Sequence, residues 1–413
     1  MRITTPAPAD RIDLDDVDLA DPMLYTRGDA HLAWQTLRAE RPVFWQRRRT
    51  GPGFWAVTRY ADVRRVLRDH ETFGSEHGTS ITMIGVPDPG AGRMMQSTDP
   101  PRHRGLRGEI GRPLAPRAVG DRAETIRSLV RRCIEPARDG GVWDAAAAFT
   151  RMTGQIAARF MEFPDDDVDR LLSLSYATQA PLDPHYRLGS QQLTLRLAHH
   201  EIMSYFAERL RARPRSGLLA HLTGIEIDGR RLTHEELLLN CHSLIVAFVM
   251  TTAQTASTTM IALAGQGGGE GRWPPGTPMQ EAVEEALRWA SPATHFVRQA
   301  RRDVELHGVK IKAGEPVTAW LASANRDPAV FARPYALDLG RSPNRHVAFG
   351  SGPHRCVGAP LARLVLATLF EELFAHIESF ELAGDPEHLV SNEIGGIVGL
   401  PLRVRPRPGG PWA

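Results

Sequence analysis

The sequence predicts a mainly α-helical protein with small β-sheets, an α+β fold built as a single large domain over residues 1–413. Along most of the chain after residue 100, apolar residues recur three and four positions apart, which is typical of helices with one buried face. Strand-like segments are short, and neither an internal repeat nor a low-complexity array divides the chain. We expect residues 1–15 and 406–413 to be loose termini.

Helices account for most of the predicted regular structure. Residues 265–278, between two of them, are too rich in glycine and proline for regular structure. A domain linker is one interpretation of this segment, but helices so close in sequence favour packing within one domain. The candidate helices are residues 31–40, 60–69, 102–112, 117–137, 146–161, 166–177, 190–212, 234–264, 278–289 and 358–378, and the candidate strands are residues 53–58, 304–306, 309–311 and 316–320, with a further hairpin candidate at 393–404.

Composition and charge exclude several classes of protein. The formal net charge of +2 on 413 residues is too small to predict nucleic acid or a membrane surface as a partner. Three cysteines do not make a disulfide framework and favour a reducing cytoplasm. The first residues lack the apolar core of a signal peptide, and polar residues interrupt the apolar run 237–264, which favours a buried helix over a membrane span.

Cys356 is the first candidate functional residue. Glycines at positions 350, 352 and 358 surround it and allow the backbone to turn tightly and to approach a flat ligand. An apolar helix with Pro360 in its first turn is predicted directly afterwards, and a helix N-terminus stabilises a thiolate. A lone cysteine is more often a small buried apolar residue, so the residues alone leave a ligand, a nucleophile and a core position open.

The whole run Phe349-Gly-x-Gly-x-His-x-Cys-x-Gly-x-x-Leu-Ala-Arg363 resembles the haem-binding signature of cytochromes P450. The resemblance covers residues 15–405 and implies the P450 fold, with haem b (iron protoporphyrin IX) between a long distal helix and the loop and helix of Cys356. Cys356 would be the proximal iron ligand, and thiolate donation favours cleavage of the oxygen–oxygen bond. His354 would reach a haem propionate, Phe349 would pack beneath the macrocycle, and Gly358 would lie close to it.

A second motif resembles the structural core of the same family. Glu285 and Arg288 are three residues apart on a predicted helix, and by spacing alone they would be a surface ion pair of little energetic value. The resemblance instead makes them a pair that locks the core together with Arg341. We expect all three to be structural residues.

A third set resembles the family's haem-propionate ligands. His103 and Arg107 are four residues apart and share one helical face, so both can point at the same carboxylate. Arg298 matches the family pattern ten residues after Arg288. With His354 these residues would form a cationic set around two carboxylates that are otherwise costly to bury.

The longest predicted helix departs from the family pattern. Where the family usually carries Ala-Gly-x-(Asp or Glu)-Thr-Thr, this chain has Ala247-Phe-Val-Met-Thr-Thr252, so Phe248 replaces a glycine and Met250 an acid. The resemblance places Ala247 against the haem and makes Thr251 and Thr252 the catalytic candidates, because an alcohol and an acid there deliver protons to bound dioxygen.

Three interpretations of this departure stay open. Thr251 with ordered water, or with a polar group of the substrate, suffices for ordinary oxygen insertion. Alternatively, the enzyme uses a peroxide or another diatomic oxidant, or performs oxidative coupling or cyclisation. In the third interpretation the alignment of this helix with the family pattern is shifted, and Thr252 or Thr255 occupies the position of the catalytic alcohol.

Family geometry also implies the walls of the substrate pocket. They come from residues 81–95, the long helix, the turn 293–296 and the C-terminal loop, and most are apolar, although each could equally be ordinary core packing. His295 is the polar member, either a hydrogen-bond donor to the substrate or an exposed loop histidine. The candidate wall residues are Met83, Ile84, Met94, Met95, Phe248, His295, Phe296 and Ile397.

The function expected from the resemblance is that of an oxidoreductase of the monooxygenase type. It would hydroxylate or epoxidise a hydrophobic or natural-product-like molecule of secondary metabolism, as a cytoplasmic monomer supplied with electrons by a ferredoxin and its reductase. Arg355 and Arg363 could meet an acidic ferredoxin or a substrate tethered to a carrier protein. A haem protein that only binds a ligand is a further alternative, which the complete haem motif disfavours.

Overall fold

The computed structural model describes residues 1–49 and 51–408, and over them the chain is mainly helical with small sheets, as the sequence predicts. Residues 409–413, part of the tail expected to be loose, lie outside the described residues. The N-terminus is not loose. Met1 is buried and its ammonium group donates to the carbonyl of Gly396 at 3.1 Å, because the start of the chain packs against the C-terminal loop.

Fourteen α-helices lie within the described ranges, interspersed with short 3-10 turns such as Ile81–Met83 and Met95–Ser97. The helices are α1 (Pro22–Thr26), α2 (Ala30–Glu40), α3 (Tyr60–Arg68), α4 (Arg102–Gly111), α5 (Pro116–Gly120), α6 (Ala123–Ile134), α7 (Ala145–Met161), α8 (Val168–Gln179), α9 (Gln191–Arg211), α10 (Gly217–Thr223), α11 (His234–Gln266), α12 (Met279–Ala290), α13 (Leu321–Ala324) and α14 (Ala359–His376).

The strands form small sheets, of which the largest has the order β1-β2-β11-β8-β3 and the next the order β4-β15-β12-β7. Three two-stranded ribbons pair β9 with β10, β13 with β14, and β5 with β6. The strands are β1 (Val43–Gln46), β2 (Phe54–Val57), β3 (Phe73–Gly74), β4 (Val142–Asp144), β5 (Glu226–Ile227), β6 (Arg230–Arg231), β7 (Glu270–Gly271), β8 (His295–Ala300), β9 (Val304–Leu306), β10 (Val309–Ile311), β11 (Pro316–Trp320), β12 (Ile377–Leu382), β13 (Glu387–His388), β14 (Ile397–Gly399) and β15 (Pro401–Pro406).

Helix α11 is the central element of the fold. It begins with a capping box, in which the hydroxyl of Thr233 accepts from the amide of Glu236 and the carboxylate of Glu236 accepts from the amide of Thr233. By length and composition alone α11 could cross a membrane, but a core helix of a soluble protein passes the same test. Much of α11 lies in the main core together with α7, α8, α12 and α14, so its apolar character is explained by packing.

Several predicted elements differ from the observed ones. The helix predicted over 117–137 is two helices, α5 and α6, because the backbone leaves the helical region at Arg122, and Pro136 then removes an amide. The segment 265–278 is not wholly irregular, since β7 pairs with β12. Residues 393–404 do not form one hairpin: β14 pairs with β13, and β15 pairs with β12 and β4.

The core consists of three clusters of buried side chains. The main core lies among the helices around α11. A second cluster, here called the N-terminal core, is centred on Tyr25, Trp34 and Trp320. The third packs α3 against the five-stranded sheet, around Val63 and Val317. The loop before α14 and the middle of α11 both border the main core.

Candidate active site

The loop before α14 folds back on itself around Cys356. The main-chain amide of Cys356 donates to the carbonyl of Phe349 at 2.8 Å. Gly350 and Gly352 have φ angles of 70° and 75°, a region that favours glycine. A Cβ atom on Gly352 would lie 2.7 Å from the Cα atom of Arg68, so the close approach of two backbones also requires glycine there. The loop thus presents Cys356 directly before the first turn of α14.

Cys356 is accessible, whereas the two other cysteines are buried. Many protein atoms nevertheless surround its sulfur, and the resulting desolvation raises the pKa of the thiol. The main-chain amides of Gly358 and Ala359 and the guanidinium groups of Arg107 and Arg355 act in the opposite direction. Donors and cations that stabilise a thiolate therefore already surround the sulfur.

A charged network holds the ring of Phe349. The guanidinium group of Arg363 lies 4.7 Å from the ring centroid, over its face. Arg363 also donates to both carboxylate oxygens of Glu284, at 2.5 and 2.8 Å, and Nε2 of His346 lies 3.0 Å from the same carboxylate. Burial alone would raise the pKa of Glu284, but these bonds outweigh it and bring the pKa to about 2. Sequence reasoning missed Glu284 and His346, because neither spacing nor residue type distinguishes them from surface residues.

The basic residues predicted to hold carboxylates lie together, and their donors are largely unused. His103 is buried, and neither of its ring nitrogens has a hydrogen-bond partner in the described chain. Burial, together with the charges of His354, Arg107 and Arg298, lowers the pKa of His103 to about 3. Arg298 is also buried and donates only to the carbonyl of Val297, and Arg107 donates to no described residue. Two anionic groups would satisfy these donors, which are costly to leave buried without acceptors.

His354, the fourth residue of this set, already has protein partners. Its Nε2 atom lies 3.1 Å from Oδ1 of Asp99 and 3.2 Å from the hydroxyl of Ser75, and its ring centroid is 4.2 Å from that of His103. Burial would raise the pKa of Asp99, but bonds from His354 and the amide of Ser75, with the charge of Arg301, bring it to about 2. A contact between a propionate and the remaining Nδ1 atom of His354 stays a prediction.

Glu285 and Arg288 are not the surface pair that their spacing alone suggests. Both side chains are 0% exposed, and the guanidinium group of Arg288 donates to both oxygens of Glu285 at 2.7 Å. Arg341 and Asn344 each add a bond to Glu285 at 3.0 Å, and the amide of Asp338 adds another at 2.9 Å. The carboxylate thus ties α12 to the loop that leads to Cys356, which is a structural role.

The face of α11 that bears Ala247 and Thr251 is not covered by other parts of the described chain. Ala247 is exposed, and Thr251 and Thr252 are partly exposed. The hydroxyl groups of Thr251 and Thr252 form no hydrogen bond with any described residue, whereas the hydroxyl of Thr255 donates to the carbonyl of Thr251 at 3.0 Å. The two candidate alcohols are therefore free to bind water or a ligand, and Thr255 is engaged within the helix.

The two residues that depart from the family pattern lie beside this face. Phe248 is partly buried, with its ring centroid 5.6 Å from that of Phe160 on α7. Met250 is 1% exposed and belongs to the main core. Residues 237–264 contain no aspartate or glutamate, so this part of α11 supplies no acid of its own.

The segment predicted to form one pocket wall lies along the N-terminal half of α11. The amide of Met95 donates to the side-chain oxygen of Asn240 at 3.0 Å, and the hydroxyl of Ser243 donates to Gln96 at 3.0 Å. Met83 and Met95 are partly exposed, as wall residues would be, and Met94 is buried. Ile84 differs, because its side chain is part of the N-terminal core.

His295 belongs to strand β8 and not to a turn. Its side chain is 0% exposed, and its ring lies 4.5 Å from the ring of Trp320, so the expectation of an exposed loop histidine is wrong. Residues two apart in a strand share a face, and Val297 is likewise in the N-terminal core. Phe296 is partly exposed and shares the other face of β8 with Arg298. A contact between His295 and a substrate stays a prediction that this packing disfavours.

The residues brought together fit a haem. An accessible thiol flanked by main-chain amides suits an iron ligand, and the unused donors of His103, Arg107 and Arg298 suit two propionates. The uncovered residues Ala247, Thr251 and Thr252 of α11 would provide a small side chain and two alcohols on the other side of such a haem.

Comparisons with known proteins agree with this arrangement. A family model described as "Cytochrome P450" matches residues 278–401. Cytochrome P450 NovI of Streptomyces niveus is 32% identical over 410 residues, covering 95% of this chain and 97% of NovI. Linalool 8-monooxygenase of Pseudomonas putida is 30% identical over an alignment that covers 94% of this chain and 99% of the monooxygenase. Among solved structures, P450 OxyD, involved in the biosynthesis of vancomycin-type antibiotics, is 33% identical, with a TM-score of 0.81 over 95% of this chain and 100% of OxyD. The chain belongs to the cytochrome P450 family of haem-iron proteins and is an oxidoreductase of the monooxygenase type.

Proposed function

We propose that the protein uses haem b to hydroxylate or epoxidise a hydrophobic, natural-product-like molecule, with dioxygen and with electrons from a separate ferredoxin and its reductase. The observation that carries this proposal is the pairing of an accessible Cys356 thiol with unused basic donors and an open face of α11. The names of similar proteins support the substrate class, since one is a linalool monooxygenase and another is involved in antibiotic biosynthesis.

Four residues would hold the cofactor. Cys356 would ligate the iron, and His103, Arg107 and Arg298 would bind the propionates through donors that have few or no protein acceptors. When bound, the haem would supply the redox chemistry for the activation of dioxygen and the oxidation of the substrate. The amides of Gly358 and Ala359 hold negative charge on the sulfur of Cys356.

Proton delivery on the distal side would depend on Thr251. Its hydroxyl group has no partner in the described chain, so its oxygen can hold a water molecule and pass a proton to the ligand side. Residues 237–264 of α11 supply no acid behind it, because Met250 stands where the family usually carries one. Water or a polar group of the substrate would therefore complete the proton path.

The proximal surface is the proposed docking site for an acidic electron donor. A depression of about 480 Å³ lies between α4 and the residue after Cys356, and Arg104, Arg107 and Arg112 line it. Arg355 is exposed nearby, whereas Arg363 is engaged by Glu284 and is less available to a partner. An acidic ferredoxin, or a carrier protein that bears the substrate, would fit this surface. The rate at which the ferredoxin reduces the protein would then fall steeply with ionic strength.

A second candidate function is peroxide-driven oxidation, or oxidative coupling or cyclisation, on the same haem. The observation that favours it is the absence of acidic residues from 237–264, together with Phe248 in place of a small residue.

Turnover of terpenoid test substrates with reduced ferredoxin and dioxygen, compared with hydrogen peroxide alone, separates the two functions. Tightly coupled conversion under the first condition supports the monooxygenase proposal. Conversion only under the second overturns it in favour of the peroxide-driven one. Size-exclusion chromatography with light scattering tests the further proposal that the protein acts as a monomer.

A further inference from the structure

Gln254 lies on α11, three residues after Thr251, and its side chain is wholly buried. Its Oε1 atom accepts from the amide of Ile397 at 2.6 Å, and its Nε2 atom donates to the hydroxyl of Tyr176 at 2.8 Å. A main-chain amide can only donate, so this orientation of the Gln254 amide is fixed by chemistry. One side chain of the distal helix therefore joins two segments that are remote in sequence, α8 and the start of β14.

Both ends of this link are tightly packed. A Cβ atom on Gly396 would lie 3.2 Å from Oε1 of Gln254 and 3.0 Å from the side chain of Leu389, so any larger residue at position 396 would crowd the side chain of Gln254 on α11. At the other end, the ring of Tyr176 stacks on Tyr186 of the α8–α9 connection, with centroids 4.8 Å apart and an interplanar angle of 25°. The link therefore reaches from the C-terminal loop to the connection between α8 and α9.

We propose that Gln254 is a positioning residue that sets the width of the distal space and thereby selects which bulky ligands reach the iron. The inference rests on the proposed function, in which ligands bind beside Thr251. Gln254 holds α8 and Ile397 at fixed distances from the helix that carries Thr251. Its loss would let the two segments move relative to α11. The binding affinity of a bulky ligand would change with that movement. The affinity of a ligand small enough to fit inside the space in either geometry would not change.

The test compares two azoles that ligate the iron of the holoenzyme, imidazole as the small probe and 4-phenylimidazole as the bulky one, each titrated by absorption. In Gln254→Leu we expect the affinity for 4-phenylimidazole to change by about fivefold or more, the equivalent of one buried hydrogen bond, while that for imidazole stays within about twofold. Tyr176→Phe, which removes only the α8 end of the link, should move the ratio of the two affinities in the same direction.

Gln266→Leu is the matched control. It makes the same substitution at the far end of α11, where Nε2 of Gln266 donates to the carbonyl of Leu337 at 2.7 Å, and it should leave the ratio unchanged. An unchanged ratio in Gln254→Leu, whatever its melting temperature, would overturn the proposal and leave Gln254 a purely structural residue. If Gln254→Leu does not retain haem, Tyr176→Phe decides by the same criterion. Azole ligation needs neither dioxygen nor electrons, so failure of ferredoxin-driven turnover would count against the proposed function and not against this inference.

Discussion

Oε2 of Glu393 lies 3.6 Å from Nε2 of His295, at a point where three segments predicted to border the pocket meet. The carboxyl group of Glu393 also contacts the hydroxyl of Ser80 and the amides of Ile81 and Thr82. Burial raises the pKa of Glu393 to about 7 in spite of these bonds, and burial lowers the pKa of His295 to about 3. The two groups are therefore both uncharged in mildly acidic solution.

The raised pKa of Glu393 predicts a pH-dependent stability. The folded state holds the proton more tightly than the unfolded chain, so this contribution is present in full below the ordinary pKa of 4.5 and is lost as the pH rises toward 7. Glu393→Gln removes the charge, and at about pH 8.5 it should raise the free energy of unfolding by up to about 3 kcal/mol relative to the parent. At pH 4.5 the two proteins should differ little. The exposed Glu387→Gln is the control, and a pH-independent difference for Glu393→Gln would contradict the expectation.

Arg298 should be required for haem retention more than for folding. It is buried with a single carbonyl acceptor, so Arg298→Leu removes a propionate partner and also an uncompensated buried charge. We expect loss of haem to apomyoglobin to be about 30-fold faster or more, the equivalent of a charge-assisted hydrogen bond. The melting temperature of the apoprotein should not fall. Arg302→Leu, which removes an exposed cation bound to the hydroxyl of the buried Thr72, should change neither quantity.

Removing a partner of the Glu285 carboxylate should lower the free energy of unfolding. Arg288→Leu leaves Glu285 buried with only its weaker partners and also removes donors to the carbonyls of Asn325 and Ala336. We expect a loss of about 3–5 kcal/mol in unfolding by urea. Arg341→Leu should cost less, because Arg288 still holds Glu285 in two bonds. Equal effects of the two substitutions would contradict the assignment of Arg288 as the principal partner.

Thr251→Ala should uncouple dioxygen consumption from product formation. The free hydroxyl of Thr251 is the proposed proton donor on the uncovered face of α11, so its removal should lower the product formed per dioxygen by about tenfold. Turnover supported by hydrogen peroxide should change far less. Thr255→Val is the matched control, because the hydroxyl of Thr255 is bound within the helix. If coupling is lost in Thr255→Val but kept in Thr251→Ala, the catalytic alcohol is that of Thr255 and not that of Thr251.

The sequence was sufficient to predict those parts of the site whose residues are close together in the chain. The run around Cys356 could be matched to the family motif because the turn glycines, the thiol and the following helix are contiguous in sequence, although residue types and spacing alone left the role of the cysteine open. Contacts between distant residues could not be predicted in this way. The bonds of Gln254 to Tyr176 and Ile397, and that of Asp99 to His354, depend on the packing of whole elements.

The position of His295 shows a different limit. The local sequence predicts no strand at 295–300, so His295 is expected in a turn beside the substrate, whereas the structure has it in β8. Alternation would have placed His295 on the same face as Val297 and opposite Arg298. Which of the two faces the core depends on the pairing of β8 with β11, and that pairing is not encoded in the local sequence.

The most direct test of the site is the difference spectrum of the reduced holoenzyme with carbon monoxide, recorded for the parent and for Cys356→His. We expect the parent to show the absorption band typical of thiolate-ligated haem, and a pyridine haemochromogen spectrum to identify haem b. Cys356→His should lose that band while it retains haem, because His103, Arg107 and Arg298 still hold the propionates. A parent protein without the thiolate-type band, or a Cys356→His variant that keeps it, would contradict the assignment of Cys356 as the iron ligand.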